Sequence, residues 1–262
     1  MTLGFFDYTH ALLRAPGRSV TDGLRAGDHD GPTYEGVARE HGEYRAVLER
    51  LGLAVELLPA LEEYPDSIFV EDPALVFGPG AILLRPGAAS RAGEVAQLAP
   101  HLRARFGHVV DLAEGFADGG DVLATPDEVL IGLSARTDRA GAQALMAALA
   151  ELGQRGRIVA TPPGVLHFKT GCGMLDEETV IVTQALDVPE MFGGLRRLMV
   201  PEGEEPAANV LRIRDHVLVD ARCPRTIEMV EHRGFATVAM PVAEIARIDA
   251  GLSCMSLRWR AA

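Results

Sequence analysis

Two stretches of the sequence decide the fold: residues 121–145, DVLATPDEVLIGLSARTDRAGAQAL, and residues 209–234, NVLRIRDHVLVDARCPRTIEMVEHRG. Each predicts a strand, a tight turn, a second strand, an Arg-Thr pair and a helix. Residues 72–98 repeat this order with Ser-Arg before the helix, and residues 172–184, CGMLDEETVIVTQ, indicate a truncated fourth copy. With the N-terminal strand and helix, the chain has five such units. Repeats of this length predict a radial or solenoid array of α/β units.

The rest of the chain supplies further elements of the same kinds. Apolar residues spaced three and four apart predict helices over 36–52, 91–107 and 139–153. Short β-rich runs predict strands at HALLRAP (10–16), SIFVED (67–72), TVIVTQ (179–184) and ATVAMPV (236–242). Because no linker interrupts the chain, we expect one catalytic domain over residues 1–262. The alternative is an α/β protein of another kind with chance hairpin-helix similarity.

Composition limits the classes of function. The net charge is −12 with 25 Lys and Arg, which argues against nucleic-acid binding because that depends on phosphate neutralisation. Three widely spaced cysteines suggest neither a disulfide framework nor a zinc site. The N-terminal residues lack the pattern of a secretion signal, and no apolar run is long enough for a membrane span. We therefore expect a cytoplasmic protein.

Polar residues recur at the unit boundaries. In a radial array these boundaries converge near the axis, and charged groups beside apolar strands are costly unless they are paired or belong to a site. The motifs are DSIFVED (66–72), RPGAASRAGE (85–94), ADGGDV (117–122), SART (134–137), VLHFKTG (165–171) and IDAGLSCMSLR (248–258).

Together and in this order, these motifs resemble the dimethylarginine dimethylaminohydrolases of the guanidino-modifying, or amidinotransferase, superfamily. The resemblance covers nearly the whole chain. It implies a pentein fold, an α/β propeller of five ββαβ units around a pseudo-fivefold axis. It also implies hydrolysis of N-omega-methylated arginine to citrulline and methylamine or dimethylamine, with no metal and no organic cofactor.

This chemistry requires a strong nucleophile, because the charge of a guanidinium is delocalised over three nitrogens. Cys254 is the candidate, attacking the central carbon to give a thiouronium intermediate. His167 would protonate the departing amine and later deprotonate water. Asp118 would hold either His167 or the substrate nitrogens, and Glu71 and Asp72 would pair with the guanidinium. Cys172 and Cys223 are interpreted as structural residues.

The resemblance also implies residues for the amino-acid end of the substrate. Arg91 and Arg136 would bind the α-carboxylate through forked hydrogen bonds. Asp66 and the backbone of Ile248 would take the α-amino group. Leu24 falls where the family has a substrate-covering flap, and the glycine-rich segment 21–34 is suited to move.

Several alternatives stay open. Parts of the superfamily have Glu where this chain has Asp118, although the Asp-Gly-Gly-Asp form also occurs among dimethylarginine hydrolases. An arginine deiminase-like hydrolase of another guanidino compound would share the chemistry. A Cys-His-Asp amidase and a non-enzymatic propeller are disfavoured by the acidic cluster and the paired arginines. The expected partner is a small guanidino substrate, and the sequence leaves a homodimer open.

Overall fold

The fold is that of a computed structural model, which describes residues 5–27, 30–78 and 80–261. Part of the expected flap, at positions 28 and 29, lies outside the described residues. The strands are β1 (His10–Arg14), β2 (Ala54–Leu58), β3 (Ala74–Phe77), β4 (Gly80–Leu83), β5 (His108–Asp111), β6 (Val122–Ala124), β7 (Val129–Leu133), β8 (Gly156–Ala160), β9 (Cys172–Met174), β10 (Thr179–Val182), β11 (Arg196–Met199), β12 (Leu211–Ile213), β13 (His216–Asp220), β14 (Ala236–Met240) and β15 (Leu257–Trp259). The α-helices are α1 (Tyr34–Arg50), α2 (Glu94–Arg105), α3 (Arg139–Glu151) and α4 (Pro224–Glu231).

These strands form five three-stranded sheets, with the orders β15-β1-β2, β3-β4-β5, β6-β7-β8, β9-β10-β11 and β12-β13-β14. In every sheet the first two strands are antiparallel, and the third is parallel to the second. In four of these sheets an α-helix crosses from the second strand to the third, because a parallel connection needs a long crossover. β15 completes the N-terminal sheet, with Trp259 opposite His10.

Five buried apolar clusters fill the spaces between neighbouring units. One cluster, for example, packs Leu98 and Leu102 of α2 beside Leu12 of β1 and Leu257 of β15. Another joins the last unit to the first, with Leu218 of β13 packed near Val47 and Leu48 of α1. Because each unit buries its apolar face against the next, the five units close into a ring. The predicted α/β propeller, the pentein fold, is confirmed.

The truncated fourth unit has two short 3-10 helices, Gln184–Leu186 and Pro189–Met191, in its crossover. The prediction of a strand at SIFVED was wrong. Residues 66–72 form consecutive turns, in which the N–H of Phe69 donates to Asp66 and the N–H of Asp72 donates to Phe69. Ile68, Phe69 and Val70 are buried there, so an apolar run that is typical of a strand is a buried turn instead.

The segments that precede the first strands of the units form a ring of hydrogen bonds. Each segment binds the next through a backbone or short side-chain group, and the last binds the first. The bonds are Gly119 N to Asp72 O (3.1 Å), Phe168 N to Asp121 Oδ1 (2.8 Å), Asn209 Nδ2 to Lys169 O (2.8 Å), Ser253 N to Asn209 Oδ1 (3.0 Å) and Glu71 N to Cys254 O (3.2 Å). The fold therefore brings together motifs that are distant in sequence.

No helix in the described ranges is both long and apolar enough to cross a bilayer.

Candidate active site

A cavity of about 170 Å³ lies beside this ring of segments. Eight of the ten predicted site residues line it: Leu24, Asp66, Asp72, Arg91, Arg136, His167, Ile248 and Cys254. The other two, Glu71 and Asp118, lie behind its wall. Residues from all parts of the chain thus meet in one small pocket.

Cys254 lies in a turn just before β15 and is half-buried. Burial, together with the carboxylates of Glu71 and Asp72, raises the pKa of its thiol to about 12. Lys169 and the N–H of Gly251 act in the opposite direction. These groups together disfavour the thiolate of Cys254 at neutral pH. A positive charge entering the pocket would favour its ionisation.

His167 and Asp118 form a buried pair. Nε2 of His167 lies 3.1 Å from Oδ2 of Asp118, and the other carboxylate oxygen accepts a 2.7 Å hydrogen bond from the N–H of Gly87. Burial alone would disfavour the imidazolium. The hydrogen bond to Asp118 and the charges of Asp72 and Asp121 outweigh it, so the pKa of His167 is raised. The pair can therefore supply a proton near neutral pH.

Asp121 connects the loops that carry the site. Its Oδ1 accepts from the N–H of Phe168, and its Oδ2 accepts from the hydroxyls of Ser134 and Thr137. The first contact fixes the residue after His167, and the second fixes the SART turn that holds Arg136. Asp121 therefore positions both groups while remaining buried itself.

Asp72, Asp118 and His167 each place one donor atom within 4.8 Å of the others. This spacing could hold a small cation. However, an imidazolium has no lone pair for a metal, and the pKa of His167 is raised. The raised pKa of His167 therefore opposes metal binding by this set.

Arg91 lines the cavity but is almost fully engaged by the protein. Its Nε and Nη2 bind the carboxylate of Glu94 at 2.9 and 2.7 Å, and Nη2 also donates to the carbonyls of Asp66 and Phe69. Nη1 contacts Asp72. Although burial opposes the ionisation of Asp72, Arg91 and His167 hold its pKa below the usual range. Arg91 thus stabilises the acidic wall of the pocket.

Arg136 is the more available of the two predicted carboxylate ligands. Its side chain is 19% exposed, and its Nη1 lies 3.7 Å from Oδ2 of Asp118. This separation is longer than a good hydrogen bond. A carboxylate in the cavity could therefore engage Arg136 without displacing a strong partner.

The described part of the flap closes over the cavity through two acidic side chains. The N–H of Leu24 donates to Oδ1 of Asp66 at 2.9 Å, and the N–H of Ala26 donates to Asp249. Asp249 has a φ of 54°, in the left-handed region, which non-glycine residues seldom adopt. Ile248 ends the short helix before it. Asp66 therefore holds the flap through one oxygen and can offer the other to a substrate amine.

Glu71 departs from the expectation that it pairs with the guanidinium. Its Oε1 lies 2.6 Å from Nζ of Lys169 and 3.3 Å from Nη2 of Arg258, and its Oε2 accepts a 3.0 Å hydrogen bond from Ser253. These contacts already engage both oxygens. Glu71 instead lines a second cavity of about 410 Å³, which runs along the first strands of the units.

Sequence reasoning gave no role to Asp121, Lys169, Asp249 or Arg258. All four lie within the motifs, and Lys169 and Arg258 interrupt otherwise apolar stretches. A charged residue beside an apolar strand indicates a buried ion pair, and this signal could have identified Lys169 and Arg258. Sequence alone does not show which acid each base would meet.

Comparisons with known proteins agree with this geometry. The family model described as arginine deiminase matches residues 60–192. The N(G),N(G)-dimethylarginine dimethylaminohydrolase of Pseudomonas aeruginosa is 34% identical, covering 96% of this chain and 100% of the relative. The Streptomyces coelicolor protein of the same name is 37% identical, covering 95% and 96%.

Solved structures show the same fold. A mutant of the Pseudomonas aeruginosa enzyme in complex with citrulline has a TM-score of 0.92 at 35% identity, covering 97% of this chain and 100% of that one. The N-terminal domain of ArgZ, a cyanobacterial arginine dihydrolase, has a TM-score of 0.86 at 17% identity, covering 97% and 98%. At that identity the likeness concerns the fold alone.

Proposed function

The chain belongs to the dimethylarginine dimethylaminohydrolase family, and from this premise we propose that it hydrolyses N-omega-methylated L-arginine. The products are L-citrulline and dimethylamine or methylamine. One observation carries the proposal. Cys254, His167 and Arg136 line the same cavity, and His167 is paired with the buried carboxylate of Asp118.

The cavity has the polarity that a methylated arginine requires. Asp72 offers negative charge to the guanidinium beside Cys254 and His167. Arg136 offers positive charge to the α-carboxylate, while Arg91 stays bound to Glu94 and Asp72 and lines the same cavity. The second oxygen of Asp66 and the carbonyl of Ile248 suit the α-amino group. A volume of about 170 Å³ restricts the ligand to a small molecule.

The first half of the reaction is attack by sulfur. The cationic guanidinium offsets the nearby carboxylates and lowers the pKa of Cys254, so that the thiol releases its proton to solvent and becomes the thiolate. The thiolate adds to the guanidinium carbon. The carbon–nitrogen bond to the methylated nitrogen then breaks, and the imidazolium of His167 protonates the departing amine. A thiouronium and a neutral imidazole remain.

The second half uses water. Neutral His167 removes a proton from a water molecule that attacks the same carbon, and the carbon–sulfur bond breaks to release citrulline and the thiolate. Asp118 stabilises the imidazolium that forms again in this step. One histidine therefore serves as acid and then as base. The proton left on the urea oxygen of citrulline passes through solvent to the released amine, so the proton count closes over the cycle.

The match to the arginine deiminase model favours one alternative, hydrolysis of unmethylated arginine. A colorimetric assay of the ureido product, run with arginine, monomethylarginine, asymmetric dimethylarginine and agmatine, distinguishes the two. We expect the methylated arginines to be processed with the highest kcat/KM. A preference for arginine would reassign the enzyme as a deiminase.

Cys254→Ser is the control for this assay, because an alcohol is far less ionised than a thiol at neutral pH. We expect turnover to fall more than about a hundredfold without a change in melting temperature. A folded Cys254→Ser enzyme that retained wild-type turnover would remove Cys254 from the mechanism.

The proposal also covers the cellular compartment, the domain organisation and the oligomeric state of the enzyme. Cys172, Cys223 and Cys254 are free thiols, which fits a reducing compartment such as the cytoplasm. The reaction as written uses side chains and water only, within one catalytic domain. A homodimer stays a prediction, which light scattering of the purified protein tests.

A further inference from the structure

We propose that Glu71, Lys169 and Arg258, here called the floor cluster, position the turn that carries Cys254 and govern the ionisation of its thiol. This inference rests on the proposed role of Cys254 as nucleophile. The floor cluster borders the second cavity and lies on the other side of the Cys254 turn from the substrate pocket.

Arg258 organises the turn directly. Its Nη1 donates to the carbonyl of Ser253 at 3.0 Å, to the carbonyl of Ser256 at 2.6 Å and to the hydroxyl of Ser256 at 2.7 Å. These two serines flank the nucleophile. The hydroxyl of Ser256 also contacts the hydroxyl of Tyr44 at 2.7 Å. The turn thus wraps around one guanidinium whose side chain is 11% exposed.

Glu71 connects this guanidinium to Cys254 itself. Its backbone N–H donates to the carbonyl of Cys254 at 3.2 Å, and its carboxylate accepts from Ser253. Arg258 and Lys169 bind the same carboxylate oxygen. A buried carboxylate held by two cations resists displacement because each partner would otherwise be left as an uncompensated charge.

Lys169 ties the cluster to the next unit. Its backbone carbonyl accepts a hydrogen bond from Nδ2 of Asn209. Oδ1 of the same asparagine accepts a hydrogen bond from the N–H of Ser253. The side chains of Lys169 and Glu71 are 9% and 7% exposed. Lys169 therefore reaches the segment that holds Cys254 by two routes, from its carbonyl through Asn209 and from its ammonium through Glu71.

The cluster also places opposite charges near the thiol. The Glu71 carboxylate disfavours the thiolate and the Lys169 ammonium favours it. The other charged groups around Cys254 lie on the pocket side: Asp66, Asp72, Arg91, Asp118, Arg136, His167 and Asp249. They are unchanged in all the variants below. Removing Glu71 or Lys169 should consequently change the ionisation of Cys254 in opposite directions.

The test measures alkylation of Cys254 by iodoacetamide between pH 8 and 10 without substrate, with mass spectrometry to separate Cys254 from Cys172 and Cys223. Well below the thiol pKa, the rate follows the thiolate fraction. We expect Glu71→Gln to react about tenfold faster than wild type and Lys169→Met about tenfold slower. Shifts in the same direction, or two unchanged rates, would overturn the role in ionisation.

The double variant Glu71→Gln/Lys169→Met keeps this test informative if a single variant fails to fold. It removes both charges of the Glu71–Lys169 pair, and the amide oxygen of the new glutamine can still accept from Arg258. We therefore expect it to fold and to react within about threefold of wild type. A folded double variant with a rate tenfold or more from wild type would contradict the opposing-charge account. Because no guanidino substrate is present, a wrong substrate assignment leaves these results unaffected.

Positioning is tested with Arg258→Met against Arg260→Met. Both replace an arginine in the same C-terminal stretch, but Arg260 pairs with Asp7 at 4.0 Å and its side chain is 42% exposed. Displacement of a reacting group by about 1 Å costs roughly a hundredfold. We expect that loss in kcat, with KM little changed, for Arg258→Met only.

Arg258→Lys provides a milder version of the positioning test. A single ammonium cannot span Ser253, Ser256 and Glu71 in the manner of a guanidinium, so we expect a fall in kcat of about tenfold with the melting temperature preserved. Equal kcat values for wild type and either folded Arg258 variant would overturn the positioning role.

Discussion

Nη1 of Arg136 lies 3.7 Å from Oδ2 of Asp118, the oxygen that Nε2 of His167 approaches at 3.1 Å. The predicted carboxylate ligand and the predicted acid–base residue therefore share one buried anion. If a substrate carboxylate binds Arg136 and moves it from Asp118, His167 becomes the remaining cationic partner of this oxygen. We expect recognition of the amino-acid end to strengthen the hydrogen bond that supports the imidazolium.

His167→Asn should slow both halves of the reaction. The asparagine side chain neither gives nor takes a proton at neutral pH, so we expect kcat to fall about a hundredfold to ten-thousandfold. Cys254 remains in place and should still be alkylated by iodoacetamide. Stopped-flow and quench measurements separate formation from breakdown of the thiouronium; a defect confined to substrate binding would contradict the acid–base role.

Asp118→Asn should shift the pH profile of kcat. Asp118 raises the pKa of His167 by its hydrogen bond and its charge, so removing the charge lowers that pKa. The imidazolium is the acid in the first step, and its loss on deprotonation produces the alkaline limb. We therefore expect this limb to move to lower pH in Asp118→Asn. An alkaline limb at the wild-type position would show that it reports another group.

Gly120→Ala should disable the site by steric contact. A Cβ at Gly120 would lie 2.7 Å from Nδ1 of His167 and 3.0 Å from Oδ1 of Asp72. Both groups are fixed by other contacts, so we expect kcat to fall about tenfold to a hundredfold through displacement of the imidazole. Crystallography of the variant would show the ring shift, and unchanged kcat would show that the ring tolerates the contact.

Gly42→Ala is the matched control for that substitution. Gly42 lies within α1 and is exposed, and a Cβ there meets no atom within 4 Å. Alanine favours a helix interior over glycine, so we expect unchanged kcat and a gain of about 0.5–1 kcal/mol in the free energy of unfolding. Denaturant titration measures the gain.

Repetition explains why the fold was predictable. The stretches that begin at 72, 121, 172 and 209 each contain the strand pair that starts a unit, because alternation of apolar residues is set locally. The wrong strand at SIFVED has the opposite cause. Its three apolar residues are buried by tertiary contacts, and the turns that hold them depend on backbone bonds that residue types do not reveal.

The sequence predicted which residues form the site better than it predicted which of them pair with one another. Motif order placed Cys254, His167 and Arg136 in one site, and eight predicted residues line the cavity. The partner of Glu71, however, is set by which cation reaches it in three dimensions. Lys169 and Arg258 come from two other units of the ring, so their approach to Glu71 follows from closure of the propeller and from no local pattern.

The last prediction concerns selection by the α-carboxylate, which agmatine lacks. Arg91 is saturated by Glu94, Asp72 and two carbonyls, so Arg136 should carry most of the discrimination. Leaving a charge-assisted pair unmade in a closed site costs about 2–5 kcal/mol, which is roughly thirtyfold to several thousandfold in kcat/KM. We expect agmatine to be poorer than methylarginine by this factor, and Arg136→Ala to reduce the gap by lowering kcat/KM for the amino acid only. Measured ratios for both enzymes decide the matter: agmatine processed as well as methylarginine by wild type would mean that the pocket recognises a guanidinium without its amino-acid end.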